Sequence, residues 1–168
     1  MNAKNNNEIS KGKNAWSLFA GAVFASLMMG SASASNEVAA DDVVINDDRQ
    51  VVASLTSKAG DPASGRDWFQ DRKLGNCLAC HQNADLAEQP FHGEVGPELN
   101  GVSDRYSEPE LRAIVVNSKK VFGAESIMPS FYRSKNGART ADDFVGKTIL
   151  TAQQVEDVVS YLLTLKEK

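Results

Sequence analysis

The stretch Cys77-Leu78-Ala79-Cys80-His81 decides how this chain is interpreted. Two cysteines separated by two residues and followed at once by a histidine form the C-x-x-C-H pattern of c-type haem attachment. Each thiol can form a thioether with one vinyl group of the same porphyrin, and the histidine then lies where it can bind the iron. The 168-residue chain contains only these 2 cysteines, so no other pairing competes. The sequence therefore predicts a cytochrome with one covalently attached haem c.

A disulfide-exchange site is the alternative interpretation of Cys77 and Cys80, because such sites share the C-x-x-C spacing. They are expected beside a thioredoxin-like alternation of strands and helices. The sequence lacks that strand pattern, and His81 follows the second cysteine directly. Haem attachment is therefore the preferred interpretation.

Residues 1–34 have the organisation of a secretory signal peptide. A lysine-containing start is followed by the apolar run 15–30, which only two serines interrupt, and Ala32-Ser33-Ala34 supplies the small residues of a cleavage site. We expect cleavage after Ala34, with an uncleaved anchor as the alternative, and no membrane span in the mature chain. Export to the periplasm agrees with the haem motif, because bacteria attach c-type haem outside the cytoplasm.

Composition narrows the class of the mature protein. The net charge of −4, with no basic patch or low-complexity tract, excludes an obvious nucleic-acid-binding role. The length fits a single domain. Residues 35–60 are acidic and rich in serine and alanine, and we expect an extension that is weakly structured alone or packs on a partner. The cytochrome domain is expected over residues 61–168.

Three amphipathic helices are predicted. Asp61-Pro62 is an N-cap followed by proline at the first helical position, and Ser107–Glu110 and Thr151–Gln154 are capping boxes. Apolar residues follow each start at intervals of three and four, so each helix has one apolar face. The fold class is therefore all-α, with loops and helices around one haem, which adds apolar surface to a small core.

The sixth iron ligand has two candidates. Met128 is the only methionine outside residues 1–34, and Pro129 stiffens the loop behind its sulfur atom. His92 is the rival, eleven residues after His81. A thioether raises the reduction potential, whereas a second imidazole lowers it. We prefer Met128 and interpret His92 as a surface residue in a polar turn.

The order of the motifs resembles the class I cytochromes c. The quoted elements are Gly65-x-x-Trp68-Phe69, Cys77-x-x-Cys80-His81, Gly96-Pro97-x-Leu99-x-Gly101 and Met128-Pro129, followed by a terminal helix that bears an aromatic residue. The resemblance implies the class I cytochrome c fold, in which the first helix crosses Val158 and Tyr161 of the last at Gly65.

The same resemblance implies further contacts with the haem. The carbonyl of Pro97 would accept a hydrogen bond from His81, which orients the ring. Leu99 would pack on the porphyrin. Arg105 lies where these proteins often place an arginine that binds a haem propionate, with a solvated charge as the equally weighted alternative.

A closer resemblance is to the SoxX family within this class, the small cytochrome subunits of thiosulfate-oxidising complexes. Four runs carry it: residues 74–81, 93–97, 126–133 and 150–159. The run Met128-Pro-Ser-Phe-Tyr-Arg133 and the run Leu150-Thr-Ala-Gln-Gln-Val-Glu-Asp-Val-Val159 are specific in combination, unlike the haem motif. The resemblance extends over roughly residues 61–166.

This resemblance implies a subunit of an L-cysteine S-thiosulfotransferase. The chain would form a periplasmic heterodimer with the larger c-type cytochrome SoxA, which would hold the bond-forming site. The complex would join thiosulfate oxidatively to a cysteine of the SoxYZ carrier, and this chain would pass electrons to a diffusible cytochrome. No residue of this chain would be catalytic.

Two other functional classes stay open on the haem motif alone. A free periplasmic electron carrier that feeds a terminal oxidase has the same motif, and aromatic residues Phe122, Phe131 and Tyr132 near Met128 are candidates for a partner surface or for pocket lining. A haem sensor or peroxidase needs an open iron position, which methionine ligation disfavours.

Overall fold

A computed structural model of the chain describes residues 36–167. The signal peptide and its cleavage site lie outside these residues and stay predictions. Four α-helices are joined by loops with short 3-10 turns: α1 (Pro62–Gln70), α2 (Val102–Arg105), α3 (Glu108–Phe122) and α4 (Ala152–Leu162). Residues 36–167 contain no β-strand, which agrees with the all-α prediction. None of the helices described is long and apolar enough to cross a membrane.

The three helix starts predicted from capping residues are confirmed. The Asp61 carboxylate accepts hydrogen bonds from the first backbone N–H groups of α1. Ser107 donates its backbone N–H to Glu110 at the start of α3, and Thr151 and Gln154 form the reciprocal capping pair of α4. The short helix α2 was not predicted, because four residues are too few for an apolar periodicity.

Helices α1 and α4 cross in close contact at Gly65, as expected. A Cβ atom at Gly65 would lie 1.9 Å from the carbonyl oxygen of Asp157, so only glycine permits this approach. One turn later Phe69 meets Tyr161 edge to face, with ring centroids 5.5 Å apart. This crossing fixes the helix that leads into the haem motif against the terminal helix.

Residues 36–60 pack against the helices of the same chain. The side chains of Val51 and Leu55 are 4% and 1% exposed and belong to the core. The backbone N–H of Val51 donates to the carbonyl of Pro109 at 3.0 Å. The acidic composition of this segment gave no indication that two of its apolar residues bury their side chains against the helices of the same chain.

A buried ion pair secures this N-terminal segment. Arg112 of α3 is 1% exposed, and its Nε lies 2.8 Å from the Glu156 carboxylate of α4. Arg112 also donates to the carbonyl of Val51, and Glu156 accepts from the backbone N–H of Leu55 at 2.7 Å. The two charges therefore satisfy backbone groups as well as each other, which a buried pair requires.

Candidate haem site

The cysteines and His81 lie in one tight turn. Asn76 adopts a left-handed conformation with φ of 46° and leads into the 3-10 turn Cys77–Ala79. The carbonyl of Cys77 accepts from the N–H groups of Cys80 and His81 at 3.1 and 3.0 Å. The turn therefore holds two half-buried thiols and one imidazole within five residues.

The environment of Cys77 differs from that of a disulfide-exchange site. Removal from water, together with the nearby Cys80, raises the pKa of the Cys77 thiol to about 12. Exchange cysteines have lowered pKa values, because the thiolate is the attacking species. The raised pKa of Cys77 is therefore the opposite of what an exchange site requires.

The ring of His81 is oriented by the carbonyl of Pro97, as the resemblance implies. The distance from His81 Nδ1 to the Pro97 oxygen is 2.7 Å. Because a carbonyl only accepts, Nδ1 carries the proton and Nε2 carries the lone pair. No described residue forms a hydrogen bond with Nε2, which leaves it free to bind a metal ion. An imidazole held in this way is a stronger ligand.

Two glycines allow the loop 93–97 to lie directly against this turn. A Cβ atom at Gly96 would lie 2.3 Å from His81 Cε1, and one at Gly93 would lie 2.0 Å from the carbonyl oxygen of Ala79. The N–H groups of both glycines bond to the turn at 2.7 Å. The loop therefore buttresses the imidazole through backbone atoms that no side chain could replace.

Met128 lies half-buried in the loop between α3 and Ser130. Its carbonyl oxygen accepts hydrogen bonds from Ser118 Oγ at 2.6 Å and from Lys119 Nζ at 3.3 Å. Lys119 also donates to the carbonyl of Ser126. Lys119, in the last turn of α3, therefore binds the methionine loop.

The rival ligand His92 is engaged on both ring nitrogens. Its Nδ1 accepts from the backbone N–H of Asn83 at 3.2 Å, so Nε2 carries the proton and donates to the carbonyl of Leu86 at 3.0 Å. Iron ligation by His92 would break one of these bonds. The Met128 thioether, by contrast, has no hydrogen bond to another described residue that ligation would break.

Arg105 and Leu99 both lie near the loop that contains Pro97. Leu99 is 9% exposed, and its N–H donates to Gln82 at 2.9 Å. Arg105 is exposed at the end of α2, and its guanidinium donates to the carbonyls of Glu98 and Asn100 at 2.7 Å each. Arg105 is therefore more than a solvated charge, because it fastens the segment after Pro97.

The aromatic residues near Met128 divide into two groups. Phe131 and Tyr132 are 5% and 6% exposed and belong to the core, whereas Phe122 is 52% exposed. Of these three residues, only Phe122 is accessible to a partner.

Sequence reasoning missed the contribution of Asn117 and Ser118 to the methionine loop. Such residues are unusual inside a helix, because their side chains compete for backbone hydrogen bonds.

The side chains of this site fit a covalently bound haem. Two neighbouring thiols, an imidazole with a free Nε2 and a half-buried thioether are the donors that such a group needs. A family model for cytochrome c matches residues 62–166, and the chain belongs to the cytochrome c family. This confirms the class I cytochrome c fold and a covalently bound haem c.

A solved structure gives a more specific likeness. The chain is 43% identical to a chain in the crystal structure of SoxXA from P. pantotrophus, with a TM-score of 0.71. The alignment covers 78% of this chain and 99% of that chain. A comparison with curated proteins finds no match.

Proposed function

We propose that this chain is the electron-transfer cytochrome of a periplasmic complex of the SoxAX type. The observation that carries the assignment is the 43% identity over almost the whole of a SoxXA chain. The bond-forming site would lie on the larger SoxA-type cytochrome. This chain would act as an enzyme subunit without contributing a catalytic residue.

Four side chains would hold the haem. Cys77 and Cys80 would tether the porphyrin through thioethers, and His81 Nε2 and the Met128 sulfur would bind the iron. The hydrogen bond from His81 to Pro97 supports the histidine role, and the occupied nitrogens of His92 support the methionine role. When bound, the haem supplies one-electron exchange between ferric and ferrous iron.

Three further residues would contact the haem or its histidine. Pro97 keeps the proton on Nδ1 of His81, and Leu99 would cover the porphyrin with its apolar side chain. Arg105 would bind a propionate, for which its guanidinium has donors beyond the two bonds to Glu98 and Asn100. Ligation of the iron by both His81 and Met128 would suit electron transfer rather than substrate binding.

The cysteine count supports this division of labour in the complex. The chain has 2 cysteines, and haem attachment would consume both, so no thiol remains to accept sulfur. In the overall reaction, a carrier thiol and thiosulfate form an S–S bond and release one proton and two electrons. The thiol would belong to a SoxYZ-type carrier. This chain would pass the electrons singly to a diffusible cytochrome.

The axial ligand is tested by the matched variants Met128→Ala and His92→Ala of the ferric holoprotein. We expect Met128→Ala to abolish the red charge-transfer band of His/Met haem while the covalent haem stays attached. His92→Ala should keep the band. The opposite pattern would transfer the ligand role to His92.

The subunit role is tested by the native size of the holoprotein from its own periplasm, with haem staining of the eluted chains. We expect co-elution with a larger haem protein and haem reduction that depends on both thiosulfate and the carrier. Elution as a lone small cytochrome would instead support the free electron carrier and leave the haem assignment intact.

A further inference from the structure

Helix α3 is interrupted at Asn117, whose φ and ψ are −153° and 78°. In a regular helix the carbonyls of Val115 and Val116 would accept from the N–H groups four residues later. Here they accept from the N–H groups of Phe131 and Tyr132 at 3.1 and 3.3 Å. The kink therefore makes backbone acceptors of α3 available to the loop that contains Met128.

The Asn117 side chain stabilises both the kink and the loop. Its Oδ1 accepts from the N–H of Lys120 at 3.2 Å, which caps the second part of α3. The same oxygen accepts from Ser130 Oγ at 3.0 Å. The Asn117 amide oxygen thus bonds both to the second part of α3 and to Ser130, two positions after Met128.

The next two residues of α3 bind the carbonyl of Met128 itself. Ser118 is fully buried, and its hydroxyl donates to Met128 at 2.6 Å and to Pro129 at 3.3 Å. Lys119 adds bonds to Met128 and Ser126. The donors that bind the Met128 carbonyl therefore come from side chains of α3.

We propose that Asn117, Ser118 and Lys119 form a latch that positions Met128 and sets how readily an external ligand displaces its sulfur. The proposal rests on the proposed ligation of iron by Met128. All three are positioning residues, since they bind the loop backbone and not the haem. Opening of the latch would release residues 126–132 while the His81 side of the site stays in place.

The first test compares Ser118→Ala with Ser103→Ala in the ferric holoprotein. Ser103 is the matched control, because its hydroxyl also donates to a backbone carbonyl, that of Leu165, at 3.0 Å. Loss of one such bond in Ser118→Ala should raise amide exchange at Phe131 and Tyr132 and the affinity for added imidazole about fivefold each. Ser103→Ala should change neither.

A second pair keeps the proposal testable if Ser118→Ala does not fold. Asn117→Ala should raise both quantities by a similar factor, whereas Asn117→Asp keeps an acceptor oxygen and should restore them. A merely structural role would lower global stability without a selective change in imidazole affinity, and that result overturns the latch.

The failure of the latch and the failure of the proposed ligation give different results. If Met128→Ala keeps the red band, iron ligation by Met128 is refuted and the proposal falls with it. If Met128→Ala loses the band but the latch variants bind imidazole like the parent protein, ligation stands and the latch alone is refuted.

Discussion

The loop that contains His81 and the loop that contains Met128 are held in opposite ways. On the histidine side, residues 76–97 pack on themselves through backbone hydrogen bonds and through glycines that leave no room for a side chain. On the methionine side, residues 126–132 are bonded to a kinked helix, through side chains of residues 117–119 and through the backbone carbonyls of Val115 and Val116. The first loop depends on the absence of side-chain atoms at its glycines, and the second depends on hydrogen-bonding groups of α3.

Because of this difference, we expect the histidine side and the methionine side to be sensitive to different kinds of mutation. Added volume at Gly96 should disturb His81, because the space for a Cβ atom is already filled. Removal of the Ser118 hydroxyl should loosen Met128 because its carbonyl loses a donor, and removal of the Asn117 amide should loosen it because Ser130 loses its acceptor. Three variants, from the largest expected effect to the smallest, test whether the two sides respond independently.

Glu156→Gln should destabilise both sides equally, by about 3 kcal/mol of unfolding free energy, because the buried charge of Arg112 then keeps only the exposed carboxylate of Glu108 as its ionic partner. Denaturant unfolding of the holoprotein measures the loss. Glu88→Gln, which breaks an exposed pair with Arg66, is the control and should have little effect. A change confined to imidazole affinity, with no loss of unfolding free energy, would contradict the view that Arg112 and Glu156 support the whole fold.

Gly96→Ala should affect the histidine side alone, at a cost of about 2–3 kcal/mol, because the new methyl group would overlap the His81 ring. We expect weaker haem incorporation and a shifted Soret band. Gly137→Ala is the control, since a Cβ atom there meets nothing within 4 Å and only the φ of 94° is unfavourable. A Soret band in Gly96→Ala like that of the parent protein would show that the loop 93–97 shifts to make room for the methyl group.

Tyr161→Phe should cost about 1 kcal/mol near neutral pH, because the hydroxyl donates to Asp85 and accepts from Asn83. Burial and the Asp85 carboxylate raise the pKa of Tyr161. Above pH of about 10 the unfolded chain loses this proton and the folded chain keeps it, so the parent protein loses stability as the pH rises.

The variant lacks this proton, so the stability difference between the two proteins should shrink with increasing pH above that value. Unfolding at several pH values measures it. A difference that stays constant up to alkaline pH would show that the Tyr161 phenol titrates alike in both states.

The sequence allowed the histidine side and the helix starts to be predicted because their determinants are local. Capping residues lie within three positions of the groups they bind, and the haem motif spans five residues. The segment 36–60 could not be placed in the same way. Val51 and Leu55 become core residues only because Arg112 and Glu156, far along the chain, meet there.

By itself, the sequence determined that this is an all-α cytochrome with one haem, and it indicated His81 and Met128 as the axial candidates. Only the tertiary structure decided that His92 is committed to backbone partners and that α3 breaks at Asn117 to hold the methionine loop. The reason is physical. A motif shows which atoms could bind the iron, whereas hydrogen bonds between distant segments decide which of these atoms stay free to do so.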